Sequence, residues 1–154
     1  MHFDLTDEQK QFADAIERLL ADKLSGNILT RSDEIPRVAA ILDAELSALG
    51  VPAILTTESD GGLGMGLLTL AVVAEALGRH AAPTSHIRSA VGAWLVATHG
   101  DEKVRSLWLD RLLAGDAKVA FAFSETSDIW SPDEWQMSSA DGEVTKRCVE
   151  GASG

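Results

Sequence analysis

Between Gly66 and Gly78 the sequence is apolar almost all round. Leu67, Leu68, Leu70, Ala71, Val72, Val73, Ala74, Ala76 and Leu77 are interrupted by a single charge, Glu75. A helix of this kind is buried on most sides rather than laid on a surface, and its small residues let neighbouring helices approach closely. The stretch is about half the roughly 20 residues that a membrane span requires, so it predicts an interior helix of a helical domain. Any fold proposed for this chain has to cover that helix.

Charge is distributed around it in a telling way. The chain carries 154 residues and a net charge of −11. Residues 1–60 hold 12 acids against 5 bases, residues 61–117 hold 5 of each, and residues 118–154 hold 7 against 3. A neutral, aliphatic middle is thus flanked by solvated acidic faces, and the middle is the part suited to burial or to an oligomer contact. The acidic balance excludes a nucleic-acid backbone and an anionic membrane surface as natural partners. A single Cys excludes a disulfide framework, which with the absence of an apolar leader at Met1–Glu8 predicts a cytoplasmic protein.

Helix signals surround the apolar run. Thr6-Asp7-Glu8-Gln9 has the form of a capping box, and Phe12, Ile16, Leu19, Leu20 and Leu24 then follow one helical face until Ser25-Gly26-Asn27. A second helix starts near Ile35-Pro36, with Val38, Ile41, Leu42, Leu46 and Leu49 as its stripe and Gly50 as its end. Val51–Leu55 reads as a short extended run, and 56–64 as a polar glycine-rich loop. A fourth helix over Thr84–Ala97 places Ile87, Val91, Trp94 and Leu95 inward. A fifth over Asp101–Ala114 does the same for Val104, Leu107, Trp108 and Leu112. After Gly115-Asp116 the period changes to two: Val119, Phe121 and Phe123 alternate with alanines, which predicts a strand. Asp141-Gly142 is a turn signal before a second strand over Glu143–Val149. The expected fold is therefore mainly α: a helical domain over residues 1–116, then an incomplete β-domain over 117–154, since two strands do not make an independently stable sheet.

Few residues announce chemistry. Gly61, Gly62, Gly64 and Gly66 lack both the G-x-G-x-x-G and the Lys-Ser/Thr spacings, so a sharp loop entering a helix is expected rather than a phosphate cradle. His80, His86, His99 and Cys148 do not have metal-ligand spacing, and the histidines read as solvated loop residues. The acidic pairs Asp7-Glu8, Asp33-Glu34 and Asp101-Glu102 sit where helices begin, where the helix dipole favours them. Ser124–Ser139 has neither a nearby His nor a strand-turn-helix elbow. Trp94 and Trp108 fall on apolar stripes and read as core, while Trp130 and Trp135 lie in a polar connection.

The order of segments carries a resemblance. Phe3-Asp4-Leu5-Thr6-Asp7-Glu8-Gln9, Leu49-Gly50-Val51-Pro52, Glu58-Ser59-Asp60-Gly61-Gly62-Leu63-Gly64, Glu75-Ala76-Leu77-Gly78-Arg79, Gly100-Asp101-Glu102-Lys103, Trp108-Leu109-Asp110-Arg111-Leu112 and Ala114-Gly115-Asp116 follow one another at family-like intervals. Together they resemble the N-terminal part of the acyl-CoA dehydrogenase family. The resemblance implies a helical N-terminal domain leading into a β-domain, FAD as cofactor, an acyl-CoA thioester as substrate, and a homo- or hetero-oligomer of such subunits. It also implies flavin contacts at Phe121, Ser124 and Ser127, and acyl-pocket contacts at Thr84, Ile87 and Val91. The family's catalytic carboxylate lies in a C-terminal bundle to which nothing here corresponds, so no catalytic residue is assigned, and none is assigned to a metal.

Two functions follow. The first is the N-terminal portion of an FAD-dependent dehydrogenase that desaturates an acyl-CoA thioester, silent as an isolated chain. The second is a non-catalytic partner subunit of a heteromeric enzyme. It is favoured by Thr126 where the family has Pro, and by Cys148 and Glu150 in the strand that normally faces the flavin. A carboxylate at Glu150 is a poor neighbour for an electron-rich flavin.

Overall fold

A computed structural model describes residues 5–24, 33–121, 138–140 and 143–145. The chain divides into two units, residues 1–118 and 119–154. The first consists of five helices: α1 (Asp7–Lys23), α2 (Ile35–Ala48), α3 (Gly66–Arg79), α4 (His86–His99) and α5 (Glu102–Leu113). The helical period of the sequence is therefore reproduced element by element. At the start of α1 the capping box forms in full. The Gln9 amide donates to Thr6 Oγ1 at 3.2 Å, and the Thr6 amide donates to Gln9 Oε1 at 3.0 Å. Asp101 caps α5 in the same manner, its Oδ1 accepting from the Val104 amide at 2.7 Å.

The core is aliphatic. Ile16 and Leu20 of α1, Leu42 and Leu46 of α2, and Val51 and Ile54 are fully buried, and Leu70, Val73 and Leu77 of α3 join them. Phe12, Leu19 and Leu24 pack against its edge. Burying a Leu or Ile side chain in such a cluster contributes about 1.5–3 kcal/mol. The core holds α1, α2 and α3 in one body.

Several expectations are corrected by how the helices meet. α3 is not covered all round: it buries Thr69, Leu70, Val73, Ala76 and Leu77, while Leu67 is 72% and Leu68 50% exposed. One side of that apolar helix faces away from its neighbours among the described residues. On α2 the buried stripe narrows to Val38, Leu42 and Leu46, with Ile41 and Leu49 at its exposed margin. Val51–Leu55 is not extended. Gly50 is left-handed (φ +80°), Pro52 fixes the next turn, and Val51–Ala53 coils into a buried 3-10 turn.

α4 packs against both α5 and that 3-10 turn, and the close approach selects small side chains. Ser89, Ala90, Ala93 and Ala97 take the buried face with His86, in place of the bulky stripe that periodicity suggested. Ile87 and Val91 are partly buried against the core, and Trp94 is exposed. α5 is likewise rotated: Leu109 and Leu112 point inward, whereas Val104, Leu107 and Trp108 are exposed. Neither Trp94 nor Trp108 is core. Arg111 stacks over the Trp108 ring at 5.0 Å, and Trp94 meets His99 edge-on at 6.1 Å.

In the second unit, β1 (Ser138–Ala140) pairs antiparallel with β2 (Glu143–Thr145), opposing Ser139 to Val144. Asp141 and Gly142, the turn signal, lie outside the described residues, as do 146–149 of the expected second strand and residues 122–123 of the first. Val119–Phe121 is not a strand. A strand exists only through a paired neighbour, and the two described strands pair with each other.

Candidate functional site

Two sequence features converge on the helical unit: the glycine-rich loop and the segment that opens α4. The loop is closed on itself. The amides of Gly61, Gly62, Leu63, Gly64 and Met65 donate to the carbonyls of Glu58, Thr57, Ala53, Thr56 and Ile54, at 2.8–3.0 Å. No amide in this run is left to hold a phosphate, which agrees with a sharp loop entering a helix. Glycine at position 62 is imposed by close approach, because a Cβ there would stand 2.1 Å from the Thr56 carbonyl oxygen. The loop is clamped to the α4–α5 pair by Arg105, which bonds Asp60 Oδ1 at 2.6 Å and the Ala97 carbonyl. This guanidinium, with a bond from Thr57 Oγ1, holds the Asp60 carboxyl below its ordinary value.

The second feature is a polar cluster, absent from the sequence reading. His86, expected in a solvated loop, is the first residue of α4 and only 4% exposed. Its Nε2 lies 3.0 Å from Ser47 Oγ, and its Nδ1 lies 2.6 Å from Thr84 Oγ1 and 3.3 Å from Asp43 Oδ1. Thr84 Oγ1 donates to Asp43 Oδ1 at 3.0 Å, and Lys118 Nζ donates to Asp43 Oδ2 at 2.6 Å. Asp43 and Ser47 stand four residues apart, one above the other on a single face of α2. Burial pushes the His86 imidazole below its ordinary value. The Asp43 carboxylate opposes that shift and Lys118 reinforces it.

Ser47, His86 and Asp43 follow the hydrogen-bond order of a nucleophilic triad, but the surroundings do not serve one. A Cβ on Gly115 would fall 2.0 Å from Ser47 Oγ, so the Gly115 backbone packs directly on that hydroxyl. The cluster is a joint between α2, the start of α4 and Lys118. A signal for it existed in the i, i+4 spacing of Asp43 and Ser47. The partner lies 39 positions away from Ser47, which no local pattern reports.

The residues singled out by resemblance are distributed as follows. Thr84 belongs to the cluster, while Ile87 and Val91 lie one and two turns further along α4, half-buried against the core. Phe121 is a half-buried residue of the second unit. Ser124, Ser127, Thr126, Cys148 and Glu150 lie outside the described residues, as do Trp130 and Trp135. For FAD, the closed glycine loop and a single described candidate contact do not build a flavin site within the described residues. The described residues hold no cluster of three metal-ligating side chains, and no helix is long and apolar enough to cross a membrane.

Comparison with known proteins places this arrangement. The model of a family described as "Acyl-CoA dehydrogenase, N-terminal domain" matches residues 6–116. A solved variant of the Tcur3481-Tcur3483 steroid ACAD is similar in structure, with a TM-score of 0.69 and 26% identity. The match covers 79% of this chain and 34% of that one. The chain thus spans about a third of the length of that relative.

Proposed function

The chain belongs to the acyl-CoA dehydrogenase family through its N-terminal domain, and from that membership we propose that it serves α,β-dehydrogenation of an acyl-CoA thioester. In this reading it is the N-terminal portion of an FAD-dependent enzyme. Residues 1–116 are the helical domain and 117–154 the beginning of the β-domain. The observation that carries the reading is the family match over 6–116 together with the shared helix arrangement of a steroid ACAD. Thr84, Ile87 and Val91, on one stretch at the start of α4, contribute to the acyl pocket. Phe121, Ser124 and Ser127 contribute to the flavin side. In this reading the catalytic base belongs to the family's C-terminal bundle, no residue of this chain takes that role, and the 154-residue chain by itself is silent.

A second reading makes the chain a non-catalytic partner subunit in a hetero-oligomer. The exposed Leu67 and Leu68 on α3 support it, as apolar surface that an assembly would cover, and so does a relative whose name joins two components.

Dye-linked turnover of acyl-CoA thioesters, including a steroid-side-chain thioester, tests both readings. The 154-residue chain alone is expected to give none. The same chain purified with its full-length dehydrogenase partner, or continued into the coding sequence beyond Gly154, is expected to be yellow and active. Turnover by the chain alone overturns the division of labour. Silence in every assembled form overturns the dehydrogenase reading itself. Sequencing the coding DNA past the Gly154 codon separates portion from partner subunit.

A further inference from the structure

The hydrogen bonds around His86 fix a proton on its Nδ1, and burial of the ring, 4% exposed, favours the neutral form. A carboxylate only accepts, so Thr84 is the donor in its 3.0 Å bond to Asp43 Oδ1. Its single proton is engaged there. The nitrogen 2.6 Å from the same hydroxyl, His86 Nδ1, must then be the donor in that pair. The 3.3 Å approach of Nδ1 to Asp43 Oδ1 gives a second reason for the proton to sit on that nitrogen. A neutral ring protonated at Nδ1 carries its lone pair at Nε2, where Ser47 Oγ donates at 3.0 Å. The backbone amide of His86 also points at Thr84 Oγ1, at 3.3 Å. Thr84 Oγ1 therefore gives one hydrogen bond and receives two, which exhausts a hydroxyl. Lys118, at 2.6 Å from Asp43 Oδ2, balances the carboxylate at the other end of the chain of bonds.

We infer that His86, as the neutral Nδ1–H tautomer, is a positioning residue that with Asp43 keeps the Thr84 hydroxyl turned into the protein, so that Thr84 offers a ligand only its methyl group. The consequence for substrate rests on the proposed role of Thr84, Ile87 and Val91 in the acyl pocket. Given that role, the three supply hydrocarbon and no hydrogen-bond donor. They suit an unsubstituted hydrocarbon stretch of the acyl group and disfavour a hydroxyl or keto group there, which would be buried without a partner.

Nitrogen-15 NMR of the histidine side chains in the full 154-residue chain tests the network, with His86 assigned from the His86→Gln variant. At neutral pH the expected spectrum has the protonated nitrogen at Nδ1 and the lone-pair nitrogen at Nε2, with a slowly exchanging Thr84 hydroxyl proton. The Nε2–H tautomer, or a Thr84 hydroxyl exchanging as fast as that of exposed Thr57, overturns the inference. Ser47→Ala is expected to leave the proton on Nδ1, because both Nδ1 contacts remain. In the assembled enzyme Thr84→Ser keeps every hydrogen bond but loses the methyl, and KM for a saturated acyl-CoA is expected to rise about fourfold. An unchanged KM removes the role given to the methyl. The NMR result needs no turnover, so its failure leaves the dehydrogenase reading standing, and absence of turnover leaves the tautomer to be read by itself.

Discussion

The Cα of Gly115 sits against the hydroxyl of Ser47, so close that a Cβ there would fall 2.0 Å from Oγ and 2.8 Å from Cβ of that serine. The chain leaving α5 is thereby seated on α2, next to the serine that bonds His86. Gly115 is also left-handed, at φ +80°, a conformation that costs a residue with a Cβ about 1–2 kcal/mol. Gly115→Ala combines that strain with overpacking of about 1–3 kcal/mol and is expected to destabilise the fold by roughly 2–5 kcal/mol in urea unfolding. Gly66 shares φ +80° but has no atom within 4 Å of its would-be Cβ. Gly66→Ala should therefore show the strain alone, and equal losses for the two variants would refute the packing argument.

Leu42 and Leu67 separate a core leucine from an exposed one. Leu42 on α2 is 0% exposed, Leu67 on α3 is 72% exposed. Leu42→Ala is expected to lower stability by about 2–5 kcal/mol. Leu67→Ala should stay within about 0.5 kcal/mol in the isolated chain. A large loss at position 67 would mean that α3 is covered in solution, as its composition first suggested.

Acid should weaken the fold in two separate windows. His86 is held below its ordinary value of 6.5, mainly by burial, with Asp43 opposing and Lys118 assisting. The unfolded chain therefore binds more protons just below that value, and stability is lost as pH falls from about 6.5 through the folded-state pKa. Asp60 is held below its ordinary 3.8 by Arg105, so its contribution is present above that value and disappears only as pH falls further. Urea midpoints measured from neutral pH down to about pH 5 should fall in the wild type and fall less steeply in His86→Gln. Parallel slopes would show that His86 is not the group responsible.

Thr6 supplies the hydroxyl half of the α1 capping box. Thr6→Ala is expected to cost about 1 kcal/mol, and Thr6→Ser or Thr6→Asp to restore most of it. The check is the same urea titration. If alanine is neutral, the first turn of α1 does not contribute to the cooperative unit.

Local patterns made five helices legible because caps, stops and the 3.6 period are encoded within a few residues of each other. Thr6-Asp7-Glu8-Gln9 and Asp101 are read as helix starts and form the caps observed. The same patterns placed the inward faces of α4 and α5 only in part. Of Ile87, Val91, Trp94 and Leu95, the first two pack half-buried against the core and Trp94 is exposed; of Val104, Leu107, Trp108 and Leu112, only Leu112 is buried, because periodicity reports amphipathicity but not which neighbour a helix meets. That is decided by the packing of α4 against α5 and the Val51–Ala53 turn, and the buried positions of α4 are His86, Ser89, Ala90, Gly92, Ala93 and Ala97.

The candidate site divides along the same line. Thr84 was reached through the order of motifs, without any sign of what its hydroxyl does. For His86 the sequence predicts a solvated position, because a lone histidine after a proline-containing turn has no local feature that marks burial. Only the packing of α2 against the start of α4 brings His86 within 2.6–3.3 Å of Asp43, Ser47 and Thr84. The sequence by itself determined the helices and their order, because those depend on short-range periodicity and spacing, and the order of its motifs carried the family resemblance. The tertiary structure alone decided which faces are buried, which glycines are obligatory and where the His86 proton sits. Each of those is set by contact between residues tens of positions apart.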